Sequence, residues 1–206
     1  MYVKNKMTIN PKTVTPDQTI SEVLDLMHEF KIHRIPVVDK GKLVGLVTQG
    51  VVQENTPSHL TTLSIHEMNY LLSKTRVKDI MIKKVITIGP EALVEAAADT
   101  MEKKDIGCLP VVSESNELLG ILTTSDILKA FVEMFGYYQE GTRVTVLIDD
   151  RVGEFAAFTK LFADNNISIS HFANHGNEVV IRCNELNKKL VSDLLEKNGY
   201  TITSIL

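Results

Sequence analysis

The stretch that decides the fold reads KIHRIPVVD at residues 31–39 and continues, after Gly41, as LVGLVT at residues 43–48. Two short apolar runs separated by a turn that contains glycine are typical of a β-hairpin. The pattern returns as DIGCLPVV at residues 105–112 and LLGILT at residues 118–123. The chain therefore contains two copies of one predicted hairpin.

The similarity extends beyond the hairpins. Residues 3–38 align with residues 77–112 without a gap, and 11 of the 36 aligned positions are identical. One extra residue near Ser115 then restores the match in the second strand of each hairpin, at Gly45/Gly120 and Thr48/Thr123. This is an internal duplication. Because a copy of about 50 residues buries too little surface to be stable alone, we expect the two copies to share one core.

The order of elements predicts the domain boundaries. Each copy is predicted to run strand, helix, strand, strand, helix, with first strands at residues 8–15 and 85–88. Capping boxes are predicted at two helix starts, Thr19/Glu22 and Ser64/Glu67. In a capping box the side chain of each residue accepts a hydrogen bond from the backbone N–H of the other. The predicted divisions are a first repeat at 1–60, a linker helix at 61–76, a second repeat at 77–136 and a C-terminal domain at 140–206.

The pattern changes in the C-terminal domain. Residues 143–205 predict a strand, a helix, two strands joined by a turn at 175–177, a second helix and a last strand. The order βαββαβ is the ferredoxin-like arrangement. The predicted class is therefore α+β, with two β-α-β-β-α repeats followed by a βαββαβ domain.

The composition excludes several classes of partner. The net charge is −4 with both signs mixed along the chain, so there is no basic face to neutralise nucleic-acid phosphates. No apolar run approaches the roughly 20 residues that span a bilayer, and the first residues do not resemble a secretory signal. Cys108 and Cys183 lack any spacing that suits a metal site. We expect a cytoplasmic protein without a metal, a membrane or a nucleic-acid partner.

The paired hairpins, together with TTSDI at residues 123–127, make residues 1–135 resemble a tandem pair of CBS domains, named for cystathionine β-synthase. Residues 140–206 resemble an ACT domain, a small amino-acid-sensing module. That resemblance is carried by Asp150-x-x-Gly153, a Phe-rich helix and NISI at residues 166–169. The whole chain resembles the CBS–CBS–ACT proteins associated with acetoin utilisation.

Thr123 and Asp126 lie where a strand of the second repeat ends and a helix starts. A carboxylate at this point can accept both hydroxyls of a ribose, and the threonine hydroxyl can add another bond. In CBS domains this position resembles the ribose clamp for an adenosyl ligand. The alternative is that Ser125 or Asp126 only caps the helix.

His33 and Arg34 lie just before Pro36, at the mouth of a strand. Two adjacent donors there could hold a phosphate, which arginine can bind bidentately. The pair is similar to a His-Arg pair that contacts nucleotide phosphates in the regulatory subunit of the AMP-activated kinase. The alternative is a solvated surface pair.

The two repeats differ at these positions, because Val51 stands at the position of Asp126, and Gly107-Cys108 stand at those of His33-Arg34. In CBS pairs one cleft combines a ribose clamp from one repeat with phosphate contacts from the other. The resemblance therefore implies one complete nucleotide cleft, formed by Lys12, Thr13, Ile32, His33, Arg34, Ile121, Thr123 and Asp126. A second cleft would contain Thr48, Gly107 and Cys108 without a carboxylate.

The predicted ligand is AMP, ADP or ATP. Arg34 favours these over S-adenosylmethionine, NAD is also less favoured, and no cofactor is required. In the C-terminal domain, Asp149, Asp150 and Gly153 form a strand-to-helix turn where free N–H groups could bind an amino-acid carboxylate. Alternatively this domain only dimerises, because two aspartates would repel a carboxylate.

No nucleophile–base set appears in the sequence. We therefore expect a non-catalytic regulator, forming a homodimer, in which nucleotide binding acts through residues 131–141 on the ACT domain or on a regulated partner protein. The rival interpretations are an enzyme or accessory subunit of acetoin metabolism, and a scaffold with empty clefts.

Overall fold

Both predicted hairpins are present in the computed structural model, which describes residues 1–56 and 64–206. The chain divides into two units, residues 1–127 and 128–206. The first unit contains β1 (Thr8–Ile9), α1 (Ile20–Phe30), β2 (Arg34–Asp39), β3 (Lys42–Thr48), α2 (Gln49–Glu54), α3 (Ile65–Lys74), α4 (Val77–Ile80), α5 (Val94–Lys104), β4 (Cys108–Val112), β5 (Leu118–Thr123) and the start of α6 (Thr124–Met134).

The duplication is visible in the detail of the hairpins. β2 pairs with β3 and β4 pairs with β5, both antiparallel, and each hairpin has a register irregularity at the same place, Val37/Val38 and Val111/Val112. Helices α1 and α5 both end at a residue in the left-handed conformation, Lys31 and Asp105, each with φ 51°. The backbone therefore has the same conformation where it leads from the helix into β2 and β4.

The repeats exchange their first segments. β1, which precedes the first repeat's helix, pairs with β5 of the second repeat, and the fully buried Val3 packs in the second repeat's core with Leu109 and Leu122. In return, Ile82 forms a bridge with Leu46 in the first repeat. The sequence did not predict this exchange. As a result, the second strand of each hairpin pairs with the first segment of the other repeat.

Two equivalent glycines allow this close approach. A Cβ on Gly120 would stand 2.8 Å from the Thr8 carbonyl oxygen, and a Cβ on Gly45 would stand 3.1 Å from the Ile82 carbonyl oxygen. Both distances are tighter than an ordinary carbon–oxygen contact. The glycine shared by the two copies is thus explained by backbone passing directly over the second strand of each hairpin.

The predicted first strands are shorter than expected. Of residues 8–15 only Thr8–Ile9 form a strand, and Val14 makes an isolated parallel bridge to Val37. Residues 85–88 form no strand, and Ile88 bridges Val111 in the same way. Pro11 interrupts the first segment because proline has no N–H to donate to a sheet.

Both predicted capping boxes are formed. The Thr19 side chain accepts from the Glu22 N–H while Glu22 accepts from the Thr19 N–H, and Ser64 and Glu67 do the same. The backbone hydrogen bond from Thr19 is the main reason that the pKa of Glu22 is lowered. The predicted linker helix corresponds to α3 in the described part of the chain, whereas the predicted boundary at residue 60 lies outside the described residues.

A small cluster joins the two repeats. Leu46 of β3, Cys108 of β4 and Ile121 of β5 are buried together, with Val85 packed against them. Each repeat also has a separate core of its own. The predicted shared core is therefore mainly two cores connected by this cluster.

The second unit contains the rest of α6, β6 (Thr142–Leu147), α7 (Glu154–Asp164), β7 (Ile169–His175), β8 (Glu178–Cys183), α8 (Lys188–Lys197) and β9 (Thr201–Ile205). Its sheet has the order β7-β8-β6-β9, and all neighbouring strands are antiparallel. Phe158 and Phe162 of α7 and Leu195 of α8 are fully buried against the sheet residues Val144 and Ile181. Within the described ranges, no helix combines the length and the apolar character required to cross a membrane.

Candidate functional site

A cavity of about 540 Å³ opens between the two repeats of the first unit. Its walls come from the start of β2, the β3–α2 junction, the segment before α5 and the α5–β4 junction. The lining residues are His33, Arg34, Leu46, Thr48, Gln49, Gly50, Ile82, Lys84, Val85, Ile86, Asp105, Ile106, Gly107 and Cys108.

The strand ends position the polar side chains of the cavity. Arg34 pairs with Thr48 across the β2–β3 hairpin, so the two side chains emerge at the same end of the sheet. The His33 carbonyl accepts a hydrogen bond from the Gln49 N–H at 2.9 Å. The Thr48 hydroxyl accepts from the Val51 N–H at 3.2 Å and so caps α2. These bonds fix the first repeat's contribution to the cavity.

Gly107 leaves the space that the Arg34 side chain occupies. A Cβ at position 107 would stand 3.0 Å from Arg34 Cζ and 3.3 Å from Arg34 Nε. The guanidinium of one repeat therefore lies over the backbone of the other. A larger residue at 107 would force Arg34 out of this position.

The cavity combines cations with an apolar wall. Arg34 and Lys84 both line it, and neither forms an ion pair with any residue in the described ranges. Burial raises the pKa of the Cys108 thiol to about 11, against a smaller opposing effect of the Arg34 charge, so the thiol is neutral at pH 7. Cations beside apolar side chains suit a small ligand with a flat apolar part and an anionic group.

The family profile described as CBS domain matches residues 3–51 and 77–133, which are the two repeats. The chain belongs to the CBS domain family. The profile covers both copies of the hairpin that the sequence repeats, together with the exchanged segments at residues 3–9 and 77–82.

Several solved structures resemble about two thirds of the chain. AcuB from Vibrio cholerae, a proposed acetoin utilization protein, is 29% identical with a TM-score of 0.55, covering 68% of this chain and 98% of that one. CBSX2 from Arabidopsis thaliana, solved with AMP, is 28% identical with a TM-score of 0.53, covering 64% and 96%. The CBS pair of protein MJ0100, solved with 5'-methylthioadenosine and S-adenosyl-L-methionine, is 28% identical with a TM-score of 0.53, covering 64% and 99%.

The first curated sequence relatives are longer proteins that align with this chain over part of their length. The first two curated relatives are 33% and 32% identical, and the aligned part spans 32% and 51% of their lengths. The chain thus corresponds to about a third to a half of these relatives.

The predicted grouping of site residues needs a correction. The sequence predicted Thr48, Gly107 and Cys108 in a different cleft from His33 and Arg34, whereas all five line one cavity. The reason is that Arg34 lies opposite Thr48 in its own hairpin and over Gly107 of the second CBS repeat. Both neighbours follow from strand pairing and repeat packing, which the motif does not specify.

The other predicted site residues lie outside the walls of this cavity. Thr123 and Asp126 form a capping box for α6, in which the Thr123 N–H and hydroxyl donate to Asp126 Oδ2 at 2.9 and 2.7 Å. Lys12 Nζ lies 4.0 Å from the centre of the Phe30 ring. Thr13 is exposed, Ile32 packs beside the first repeat's core and Ile121 is buried between the repeats.

Nine of the 14 lining residues were not anticipated, among them Lys84, Ile86 and Asp105. The duplication itself contained the signal for two of them. With the offset of the alignment, Ile86 occupies the position of Lys12, which was predicted, and Lys84 lies two residues before it. Transferring the predicted site position Lys12 to the second repeat would have indicated residues 84–86.

The predicted effector turn in the second unit is rich in ionic contacts. Arg151 Nη2 lies 3.1 Å from Asp149 Oδ2 and 3.4 Å from Glu154 Oε2. Asp150 is exposed, and Gly153 is the N-cap of α7 with a φ of 87°. Nothing lies within 4 Å of the position that a Cβ on Gly153 would take, so the backbone here is open to a ligand.

Proposed function

We propose that this chain is a non-catalytic regulatory protein that binds an adenine nucleotide between its two CBS repeats. The observation that supports this best is the cavity in which Arg34 and Lys84, both without a carboxylate partner among the described residues, face an apolar wall. Its volume of about 540 Å³ falls within the range of small-molecule sites, about 300–1,000 Å³. CBS proteins of similar structure have been solved with AMP and with S-adenosyl-L-methionine.

In this proposal the phosphates bind to Arg34, His33 and Lys84, and the base packs against the apolar side chains Ile86 and Ile106. Charge favours AMP, ADP or ATP over S-adenosylmethionine, and size favours them over NAD. The sulfonium of S-adenosylmethionine carries a positive charge that two unpaired cations would repel, and NAD is larger than a mononucleotide.

The sugar has two possible positions. Thr48 could bind it within the cavity. Thr123 and Asp126 could bind it on the equivalent side of the second repeat, with Lys12, Thr13, Ile32 and Ile121 around the base and His33 and Arg34 on the phosphates. In the second case the ribose hydroxyls would bond to the Asp126 carboxylate, whose Oδ2 accepts from Thr123 in the structure.

Titration calorimetry with AMP, ADP, ATP, S-adenosylmethionine and NAD tests the proposal. Arg34→Ala and Lys84→Ala should each weaken nucleotide binding about tenfold or more, because each removes a charge-assisted bond worth about 1.5–3 kcal/mol. The neighbouring exposed Lys83, which does not line the cavity, provides the matched control Lys83→Ala. Asp126→Ala then separates the two sugar positions, since it weakens binding only if Asp126 clamps the ribose.

A scaffold with empty clefts makes a different prediction. At a ligand concentration 100 times the dissociation constant, a binder gains about 2.7 kcal/mol in its free energy of unfolding. A thermal-shift screen in which no adenine compound raises the melting temperature would eliminate the nucleotide proposal.

We further propose that residues 140–206 form an ACT domain. The βαββαβ order and the antiparallel sheet β7-β8-β6-β9 support the ferredoxin-like arrangement. The turn at Asp149, Asp150 and Gly153 would be its amino-acid effector site, with Arg151 offsetting the charge of Asp149. Equilibrium dialysis against the twenty amino acids tests this, and Gly153→Val should abolish any binding without affecting nucleotide affinity.

The regulatory role would be exercised as a cytoplasmic homodimer acting on a partner protein, in acetoin or related carbon metabolism. The similarity to AcuB supports this pathway. Nucleotide binding can shift the conformation only by its difference in affinity for two states. Light scattering with and without nucleotide tests the assembly, and a monomer under both conditions contradicts it.

A further inference from the structure

Three basic side chains lie side by side across the sheet of the second unit. The strand register places His171 of β7 opposite Arg182 of β8, and Arg182 opposite Arg143 of β6. The adjacent residues Val144 and Ile181 point into the core, so the basic row lies on the other face of the sheet. We call these three residues the basic row.

The row has no acidic partner within the described ranges. Like charges directly opposite one another destabilise a sheet. In addition, Arg182 Nε is buried without a hydrogen-bond partner, which is costly for a charged group. Arg143 Nη1 makes a long contact of 3.4 Å to Thr145 Oγ1. The Arg182 guanidinium is thus incompletely satisfied.

The chain that follows α6 covers the row. Arg182 Nη1 donates to the Gln139 carbonyl at 2.7 Å, and a Cβ on Gly136 would stand 2.7 Å from His171 Cε1. Phe135 lines the recess together with Arg143 and Arg182, and the recess has no room for a water molecule. Any ligand must therefore displace part of residues 136–139.

We infer that the basic row is a binding site for a small oxyanion, in which a phosphate or carboxylate group bridges Arg182 and Arg143. The oxyanion takes the place of the Gln139 carbonyl on Arg182. This exchange is favourable because hydrogen bonds to an ionised acceptor are roughly twice as strong as those to a neutral one. It also neutralises the two facing arginines. Binding releases residues 136–139 from the sheet.

NMR of the full chain tests this directly. Sodium phosphate and sodium acetate are titrated separately at constant ionic strength, and the Nε–H signals of Arg143 and Arg182 are followed with the backbone signals of Tyr137 and Tyr138. The four signals should shift together and saturate, and the stronger of the two titrants identifies the oxyanion class. Signals that do not move, or that move equally with sodium chloride, overturn the inference. The Arg34 Nε–H signal separately reports phosphate in the CBS cavity.

Variants separate anion binding from a structural role. Arg143→Gln and Arg182→Gln should each weaken oxyanion binding about tenfold or more, whereas Lys189→Gln, at an exposed position of α8, should not. In anion-free buffer Arg143→Gln should melt at or above the wild-type temperature, because a like-charge contact is removed, and its melting temperature should rise less with the anion than that of the wild type. A Tm that falls equally in both buffers would show that Arg143 only packs, and would overturn the site.

Discussion

Arg34 of the first CBS repeat lies over Gly107 of the second, with Arg34 Cζ 3.0 Å from the point that a Cβ on Gly107 would occupy. The two residues come from equivalent ends of β2 and β4, one residue apart in the alignment. Gly107 aligns with His33 of the first repeat. Because the second repeat has a glycine at this position, there is space for the Arg34 guanidinium in the cavity. The contact connects the duplication to the proposed binding of nucleotide phosphates.

Gly107→Ala should reduce nucleotide affinity about tenfold or more. The added methyl group occupies the space of the Arg34 guanidinium and moves it from the phosphates. Stability should change little, because the group displaced is the end of a flexible side chain. Calorimetry measures the affinity. Gly89→Ala, where a Cβ would meet nothing within 4 Å, is the control, and equal affinity for both variants would contradict the role of Arg34.

Asp126→Ala should lower the free energy of unfolding by about 0.5–2 kcal/mol without any ligand, because it removes one half of the capping box of α6. Thr123 would lose the acceptor for its N–H and hydroxyl. Urea unfolding measures the effect. The comparison is Asp99→Ala, which removes an exposed pair with Lys103 and should cost no more than about 0.5 kcal/mol. Equal losses of unfolding free energy would mean that the capping box stabilises the protein no more than an exposed ion pair does.

Val3→Ala should destabilise the first unit by about 2 kcal/mol, since two buried methyl groups are removed from the second repeat's core. Ile9→Ala lies in the same exchanged segment, but Ile9 is 64% exposed, so its change should stay within about 0.5 kcal/mol. Chemical denaturation followed by circular dichroism measures both. If Val3→Ala is as mild as Ile9→Ala, the N-terminal segment is not part of the second repeat's core.

The free energy of unfolding should decline at alkaline pH because of Cys108. Its thiol pKa is raised by burial from 9.0 to about 11, so the folded state holds the proton more tightly than the unfolded state. The stabilising effect is complete below about pH 9 and is lost as the pH rises towards about 11. Urea unfolding of Cys183→Ala measures the decline, and Cys108→Ala/Cys183→Ala should decline less steeply. Parallel curves would exclude Cys108 as the cause.

Much of the local structure could be predicted from the sequence because it depends on residues close together in the chain. The capping boxes at Thr19/Glu22 and Ser64/Glu67 require only a side chain and a backbone group three residues apart, and both form. The two hairpins depend on short turns between apolar runs. The site was less predictable. Residues at its strand ends were identified from the repeat, but their grouping depended on contacts between the copies.

The sequence alone therefore determined that the fold is doubled, where the α1 and α3 helices begin and that two hairpins carry the motif, since these follow from hydrogen bonding and periodicity over a few residues. Only the tertiary structure decided that Thr8–Ile9 complete the second repeat's sheet and that His33 and Arg34 share a cavity with Thr48, Gly107 and Cys108. These arrangements depend on which sheet edge a distant segment covers and on how two surfaces pack. Either copy could in principle have been completed by its own first segment with the same apolar pattern.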